Sequence, residues 1–368
     1  MTYVREDISK KLHYTSFIAA LAVVLVHSNT LPLEIASGSG WAVWFENAVG
    51  YLQLWAVPYF FVVAGFFFDR GYAASEQRTS SFLKSKGSTL LVPYLLWGCL
   101  WGAITMTPIK YIANQRHGMA WQGTIFADPN WLLVADRFLA FTRSAPPNLA
   151  LWFVRLLLLF FLLAPVWRYL RRKARPMIPL LGVFLLECSS SWGVEVLGGF
   201  EIRLSGVGFL LLGMSASIWH LEEIKLPKFV IGICFGLWAF IWYSSVQMCR
   251  FSEMPIDRYW LLLFRLSPIL LLVVVWSLLD EREMAFLYDL ISARTASLAF
   301  WIYCMHHPIC VAVRAGLNRL FGRSLPVEIV KMVVIFLLAT IIVVFCGETL
   351  RARVPKVYAL LTGGRGER

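Results

Sequence analysis

The sequence predicts an all-helical integral membrane protein, and three features of its composition lead to that fold class. Of its 368 residues, 59% are hydrophobic and only 15% are charged, and the mean hydropathy is +0.66. Soluble globular chains carry about a quarter charged residues. The chain also holds 27 Phe, 16 Trp and 13 Tyr, as is typical of lipid-facing helices and interfacial belts. These features exclude a soluble globular enzyme and a disordered protein.

Ten segments have the length and apolar character of membrane-spanning helices, for which about 20 mostly apolar residues are needed. Five of the segments contain no charged residue, and the weakest is interrupted by Glu187. The predicted spans are residues 12–33, 47–68, 87–109, 149–167, 176–194, 203–219, 229–248, 258–279, 295–313 and 328–347. Residues 1–368 are therefore predicted to form a single bundle of about ten transmembrane helices.

The distribution of Lys and Arg predicts the orientation of this bundle. If the N-terminus is cytoplasmic, the cytoplasmic segments carry 21 of these residues and the opposite side carries 10. Because cytoplasmic loops collect positive charge, both termini are predicted to be cytoplasmic. The net charge of +12 follows from the same bias, so no nucleic-acid partner is expected. The longest connection, 110–148, is then external and is long enough to contact an acceptor or to form a lid.

A few polar side chains inside the apolar runs are the candidate functional residues, because such groups are costly within a bilayer. Histidine is a general base near neutral pH, although a structural histidine bonded to a neighbouring helix is the alternative. The arginine either binds a phosphate or carboxylate, or pairs with an acid. These residues are His27 in the first span, Arg155 in the fourth, and Tyr303, His306 and His307 in the ninth.

The sequence predicts no metal site. The adjacent histidines of the ninth span lack a third ligand at a suitable spacing for zinc. The seven cysteines lie mostly within apolar runs and form no CxxC pair, which is typical of small core residues.

Five short patterns, in the same order along the chain, together resemble the acyltransferase 3 family of membrane acyltransferases. No single pattern is specific, but the five in order cover nearly the whole chain. They are the run Ala22 to Ser28 containing His27, Pro58-Tyr59-Phe60-Phe61 followed by Ala64-Gly65, Lys84 and Lys86 before Leu91-Val92-Pro93-Tyr94, Leu151-Trp152-Phe153 with Arg155, and Tyr303-x-x-His306.

The resemblance implies transfer of an acyl group, most often acetyl and sometimes succinyl, from cytoplasmic acyl-CoA to a hydroxyl of a cell-surface or lipid-linked carbohydrate. Acetyl-CoA or another acyl-CoA is then a substrate, and no bound cofactor is expected. The implied location is the bacterial inner membrane, in contact with lipid, with a separate partner enzyme or a homo-oligomer as further partners. The implied site residues are His27 as the catalytic residue, with Arg155, Tyr303, His306, Ser16 and Trp152 binding substrate or donor.

One position departs from the family pattern. Many members carry an arginine eleven residues before the first-helix histidine, and Ser16 occupies that position here. Eleven residues span about 16 Å and three turns of helix, so both positions share one face. Three explanations stay open: another cation (Arg155, Lys10 or Lys11) substitutes for it, the donor differs, or the activity is weak.

Two further functions are compatible with the sequence. A transporter of an acidic small molecule would use Arg155, Arg265 and Glu348 as its intramembrane charges, but the paired repeats of many transporters are not evident. A non-catalytic relative that binds a glycan is favoured by Ser16.

Overall fold

The architecture is that of a computed structural model of the chain, and helices account for nearly all of the described residues. Those residues are 6–29, 44–45, 48–50, 55–105, 148–188, 194–196, 200–202, 204–250, 258–278, 289–322 and 324–365. Most of the predicted external connection 110–148 lies outside them.

Fourteen α-helices and one short antiparallel hairpin are present in these ranges. In chain order the helices are α1 (Glu6–Ser28), α2 (Ala56–Phe68), α3 (Thr79–Lys86), α4 (Val92–Thr105), α5 (Trp152–Leu162), α6 (Ala164–Lys173), α7 (Met177–Cys188), α8 (Leu204–Ile218), α9 (Lys228–Arg250), α10 (Arg258–Leu278), α11 (Ala293–Ala296), α12 (Ala299–Leu320), α13 (Leu325–Arg353) and α14 (Pro355–Thr362). The hairpin strands are β1 (Val194–Val196) and β2 (Phe200–Ile202), paired with Val194 opposite Ile202. Short π-helical turns follow α2 at Asp69–Ala73 and α3 at Gly87–Leu91, and a 3-10 turn at Leu149–Leu151 precedes α5.

The helical fold class is confirmed, and a helix overlaps each of the ten predicted spans. In the described residues three helical stretches are long and apolar enough to cross a membrane, and a bent helix pair makes a fourth if it counts as one span. The three are Ile8–Ser28, Lys228–Gln247 and Leu325–Arg353. Ten crossings and the orientation of the bundle therefore stay predictions.

Two predicted spans have different boundaries in the structure. The first helix begins at Glu6 and ends at Ser28, so the span expected at 12–33 lies nearer the N-terminus. The span expected at 149–167 is not one straight helix, since α5 and α6 are bent by 62° at Leu163. Pro165 lies in the first turn of α6, where it has no N–H to continue the ladder of α5.

Small residues hold α2 and α8 in close contact, which is how glycine is used between apolar helices. A Cβ added at Gly65 would lie 1.9 Å from the carbonyl oxygen of Leu210, and one at Gly213 would lie 1.9 Å from that of Val62. The backbones of α2 and α8 are therefore in direct contact at both glycines.

The candidate site depends on the packing of α1 against α12 and of α12 against α13. Trp301 of α12 donates its indole N–H to the carbonyl of Val343 at 2.9 Å, beside Gly347. Tyr14 of α1 donates its hydroxyl to the carbonyl of Ile291 at 2.7 Å, close to the start of α11. The first bond joins α12 to α13 and the second joins α1 to the segment before α11, so each helix that carries a histidine is bonded to a neighbouring element.

Candidate active site

Three histidine rings meet where the C-terminal end of α1 packs against the middle of α12. The ring centroid of His27 lies 5.1 Å from that of His306 and 4.9 Å from that of His307. His27 is partly exposed, and no side chain in the described ranges is hydrogen-bonded to its ring. The structure thus brings together the three histidines that the sequence singles out, and we call His27, His306 and His307 the histidine cluster.

The hydrogen bonds of His306 determine which of its ring nitrogens is protonated. Its Nδ1 lies 2.8 Å from the carbonyl oxygen of Tyr303 and 3.1 Å from that of Ile302. Because a carbonyl only accepts, Nδ1 carries the hydrogen, and Nε2 of the neutral ring keeps its lone pair. The side chain is 0% exposed, and Nε2 has no hydrogen-bond partner within the part of the chain that the structure describes. His306 therefore presents an unused, buried acceptor beside His27.

A proline next to the cluster explains how α12 is joined to the turn before α5. Pro308 has no N–H for the carbonyl of Cys304, four residues earlier in the helix. The side chain of Asn148 donates to that carbonyl at 2.6 Å, and its Oδ1 accepts from the N–H of Ala150 at 3.2 Å. The bond from Asn148 takes the place of the helical hydrogen bond that Pro308 cannot form, and it joins α12 to the turn before α5. The helix continues to Leu320.

Tyr303 contributes to the site as an anchor. Its hydroxyl donates to the carbonyl of Ala150 at 2.6 Å, and its ring packs against Phe60 and Phe153 at centroid distances of 5.6 and 5.4 Å. Its own ring centroid is 6.0 Å from that of His306. The hydroxyl holds the 3-10 turn against α12, directly beside the histidine cluster.

An arginine that the sequence analysis did not select completes the end of α1. Arg314 donates from Nη2 to the carbonyls of His27 and Asn29, at 2.5 and 2.9 Å. A cation at this position interacts favourably with the unpaired carbonyls at a helix C-terminus. Its Nε is buried without a partner among the described residues. Arg314 follows His307 by seven residues, which is two turns along the same face of α12, and that spacing is a signal in the sequence.

The other predicted site residues are Trp152, Arg155 and Ser16. The ring of Trp152 packs against Phe61 at 5.8 Å, and Arg155, one turn further along α5, is only 6% exposed. Ser16 lies 3.0 Å from the hydroxyl of Tyr59. That hydroxyl donates to the carbonyl of Leu12 at 3.1 Å, so Ser16 is the donor in its own bond with Tyr59. The family's arginine position is thus occupied by a hydroxyl that ties α1 to α2.

Comparison with known proteins agrees with the patterns seen in the sequence. A family model described as an acyltransferase domain matches residues 11–348. The chain is 26% identical over 379 residues to the succinoglycan biosynthesis protein ExoH of Rhizobium meliloti (strain 1021), a match that covers 98% of this chain and 93% of that protein. No solved structure matches the chain. The family match includes most of α1, the histidine cluster and most of α13, and the chain therefore belongs to the acyltransferase 3 family.

Proposed function

We propose that this protein is a membrane O-acyltransferase that moves an acyl group, with acetyl as the first choice, from cytoplasmic acyl-CoA to a hydroxyl of a polysaccharide or lipid-linked carbohydrate of the bacterial cell envelope. Family membership supports acyl transfer, and the relative named for succinoglycan biosynthesis supports a polysaccharide acceptor. The observation that carries the proposal is that the ring of partly exposed His27 lies 5.1 Å from that of His306, whose Nε2 has no hydrogen-bond partner among the described residues.

In the proposed reaction His27 is the general base. It takes the proton of the acceptor hydroxyl while that oxygen forms a bond to the thioester carbonyl carbon. The carbon–sulfur bond then breaks, the sulfur leaves with the proton from the histidinium, and the products are the O-acyl glycan and free CoA. Positioned proton transfer of this kind contributes about 10²–10⁴-fold to a rate.

His306 supports this step through its fixed tautomer. Since Nδ1 is committed to backbone carbonyls, Nε2 is available to accept a hydrogen bond from the imidazole of His27 or from the acceptor hydroxyl. Arg314 holds the backbone of His27 and so fixes the position of its ring. In this proposal His27 acts on the reacting atoms, whereas Arg314 is a positioning residue.

The donor would approach from the end of the bundle that is predicted to be cytoplasmic. Arg155 and Trp152 lie at the start of α5, which follows the predicted external connection 110–148, so they are proposed to contact the acyl end of the donor or the acceptor, and Arg155 is close in sequence to the turn that Tyr303 anchors. Lys11, one of the cations considered as a replacement for the family arginine, lies over the ring of Trp276 at 5.5 Å.

The transporter hypothesis loses support at two of its three charged residues. Arg265 donates to the carbonyl of Leu186 at 2.8 Å, and Glu348 is paired with Arg294 at 2.9 Å. Both side chains make contacts that join helices, which is a structural use of their charge.

The experiment that tests the proposal compares His27→Ala with His13→Ala in purified full-length protein. His13 is an exposed histidine on the same helix, so it is a matched control. Release of CoA from acetyl-CoA is measured with and without the acceptor glycan, and mass spectrometry detects acyl groups on the product. We expect glycan-stimulated CoA release in the wild type and in His13→Ala, and a loss of about 10²–10⁴-fold in His27→Ala.

Retained acylation in a folded His27→Ala protein would refute the role of His27. Absence of glycan acylation in the wild type with acetyl-CoA and with succinyl-CoA would refute the proposed function itself. A rate that is higher with succinyl-CoA would keep the reaction class and change the donor.

A further inference from the structure

The segment after residue 348, beyond the family match, is packed into the bundle. Tyr358 of α14 is buried against Trp301, with the ring centroids 5.7 Å apart, and Trp97 of α4 donates its indole N–H to the carbonyl of Leu361 at 3.0 Å. The chain turns at Gly363, where φ is +66° and an added Cβ would lie 2.2 Å from the carbonyl oxygen of Thr89. Glycine is required here both by the left-handed backbone and by the close approach.

This turn directs Arg365 into the protein. Its Nη1 donates to the carbonyls of Thr89 and Thr362, at 3.0 and 2.8 Å, and its guanidinium lies 4.1 Å from the ring centroid of Phe300. A guanidinium has five N–H donors, so these two bonds leave most of its capacity unused. Phe300 precedes His306 by six residues, or about 9 Å along α12.

A second cation lies close to Arg365 in the structure, because Arg365 donates to the carbonyl of Thr89, three residues after Lys86. The ammonium of Lys86, at the end of α3, is 5.3 Å from the ring centroid of Phe82 and 5.1 Å from that of Phe161. Burial, together with the positive charge of Arg365, lowers the pKa of Lys86 to about 8. Burial also lowers the pKa of Arg365 to about 10. Both side chains therefore carry their charge at a cost that a bound anion would offset.

These two cations differ from their neighbours in lacking an acidic partner. Arg171 is paired with Asp69, and Arg70 with Glu222. Within the described part of the chain, neither Lys86 nor Arg365 has a carboxylate within ion-pair distance. Two like charges held together on aromatic rings, without a counter-charge, are the arrangement expected of a binding site for an anion.

We propose that Lys86 and Arg365 form a binding site for a phosphate-bearing ligand, and that the C-terminal segment supplies half of that site. The identification of the ligand as the acyl-CoA donor rests on the proposed function. An acyl-CoA carries its phosphates and its thioester at opposite ends of a flexible arm. Because Phe300, which packs against Arg365, lies on the same helix as His306, the phosphates bind beside Phe300 while the thioester reaches the histidine cluster. An anionic lipid headgroup also carries a phosphate, and it is the second candidate ligand for this site.

The test measures ligand binding by the purified full-length protein and by its Lys86→Met, Arg365→Met and Arg365→Lys variants. Arg353→Met is the matched control, because Arg353 is an exposed arginine at the end of α13. The probes are coenzyme A, pantetheine, which has the same thiol arm without phosphates, and micelles containing phosphatidylglycerol. Thermal unfolding of each variant confirms that it is folded.

For a donor site we expect coenzyme A affinity to fall about 10-fold or more in Lys86→Met and in Arg365→Met, as the loss of a charge-assisted hydrogen bond predicts. Arg365→Lys retains part of the affinity, and Arg353→Met retains all of it. The weaker binding of pantetheine is the same in every variant. Loss of phosphatidylglycerol binding in the two methionine variants, with unchanged coenzyme A affinity, assigns the site to a lipid headgroup.

Unchanged binding of both phosphate probes in Lys86→Met and Arg365→Met overturns the proposal. This outcome is distinct from failure of the proposed function, which is measured by glycan acylation in the wild type. If the wild type fails to bind coenzyme A but its binding of phosphatidylglycerol depends on both cations, the phosphate site stands and the donor assignment falls.

Discussion

Two clusters of buried polar side chains differ in how completely their hydrogen-bonding groups are used. Asp69, which is 1% exposed, accepts from Nε of Arg171 at 2.5 Å through one oxygen and from the hydroxyl of Ser217 at 2.8 Å through the other. His306 is equally buried, but its Nε2 has no partner in the described ranges. The hydrogen bonds of Asp69 join the turn after α2 to α6 and α8. Nε2 of His306 makes no such bond to another element in the described ranges.

The difference separates stabilising from functional polar groups. A buried acceptor without a partner costs about 1–3 kcal/mol, so most are satisfied in native proteins. Where a buried acceptor without a partner lies beside a partly exposed histidine, we expect its partner to be a substrate group or a proton that is transferred in the reaction. We therefore expect Asp69 to contribute to stability, because its partners are built in, and in the proposed function His306 supports catalysis through Nε2, which has no partner among the described residues.

The largest expected effect on activity, after that of His27, is at His306. In His306→Ala we expect acyl transfer to fall about 10²-fold or more, because the fixed acceptor next to His27 is lost. The temperature of unfolding should change little, since Nδ1 bonds only to carbonyls of its own helix. Initial rates and thermal unfolding are measured on the same preparation, with the exposed His220→Ala as control. If the unfolding temperature of His306→Ala falls strongly while its transfer rate per folded molecule stays normal, His306 has the same stabilising role as Asp69. The contrast drawn between the two residues is then wrong.

Asp69→Ala should show the opposite pattern. Removal of one partner from a buried ion pair costs about 3–5 kcal/mol, because the charge of Arg171 is left uncompensated. The unfolding temperature should fall, while the transfer rate per folded molecule is retained. Glu76→Ala is the control, since Glu76 forms an ion pair with Arg172 but its side chain is 93% exposed. An exposed pair contributes about 0–1 kcal/mol. Equal unfolding temperatures for the two variants would contradict the assigned role of Asp69.

The sequence was sufficient for the features that depend on local composition. Apolar runs predict helices at every expected span, and the order of short patterns identifies the family. The bend between α5 and α6 was missed, because a proline within an apolar run is compatible with a straight or a bent helix. Partners distant in the chain were also missed: Asn148 bonds to the carbonyl that Pro308 leaves free, and Arg365 reaches Thr89. Such bonds depend on the packing of segments, which composition does not specify.

Arg314 gives the smallest expected effect and the sharpest test of positioning. In Arg314→Met the bonds to the carbonyls of His27 and Asn29 are lost, so the end of α1 is less restrained and the ring of His27 is displaced but still present. We expect kcat to fall about 10-fold, which corresponds to about 1.4 kcal/mol, while the donor KM is unchanged. Arg314→Lys should recover part of the rate, because one cation still reaches the helix end. A raised KM with normal kcat would instead make Arg314 a substrate-binding residue. A rate that stays normal in both variants would show that the packing of α1 against α12 alone holds His27 in place.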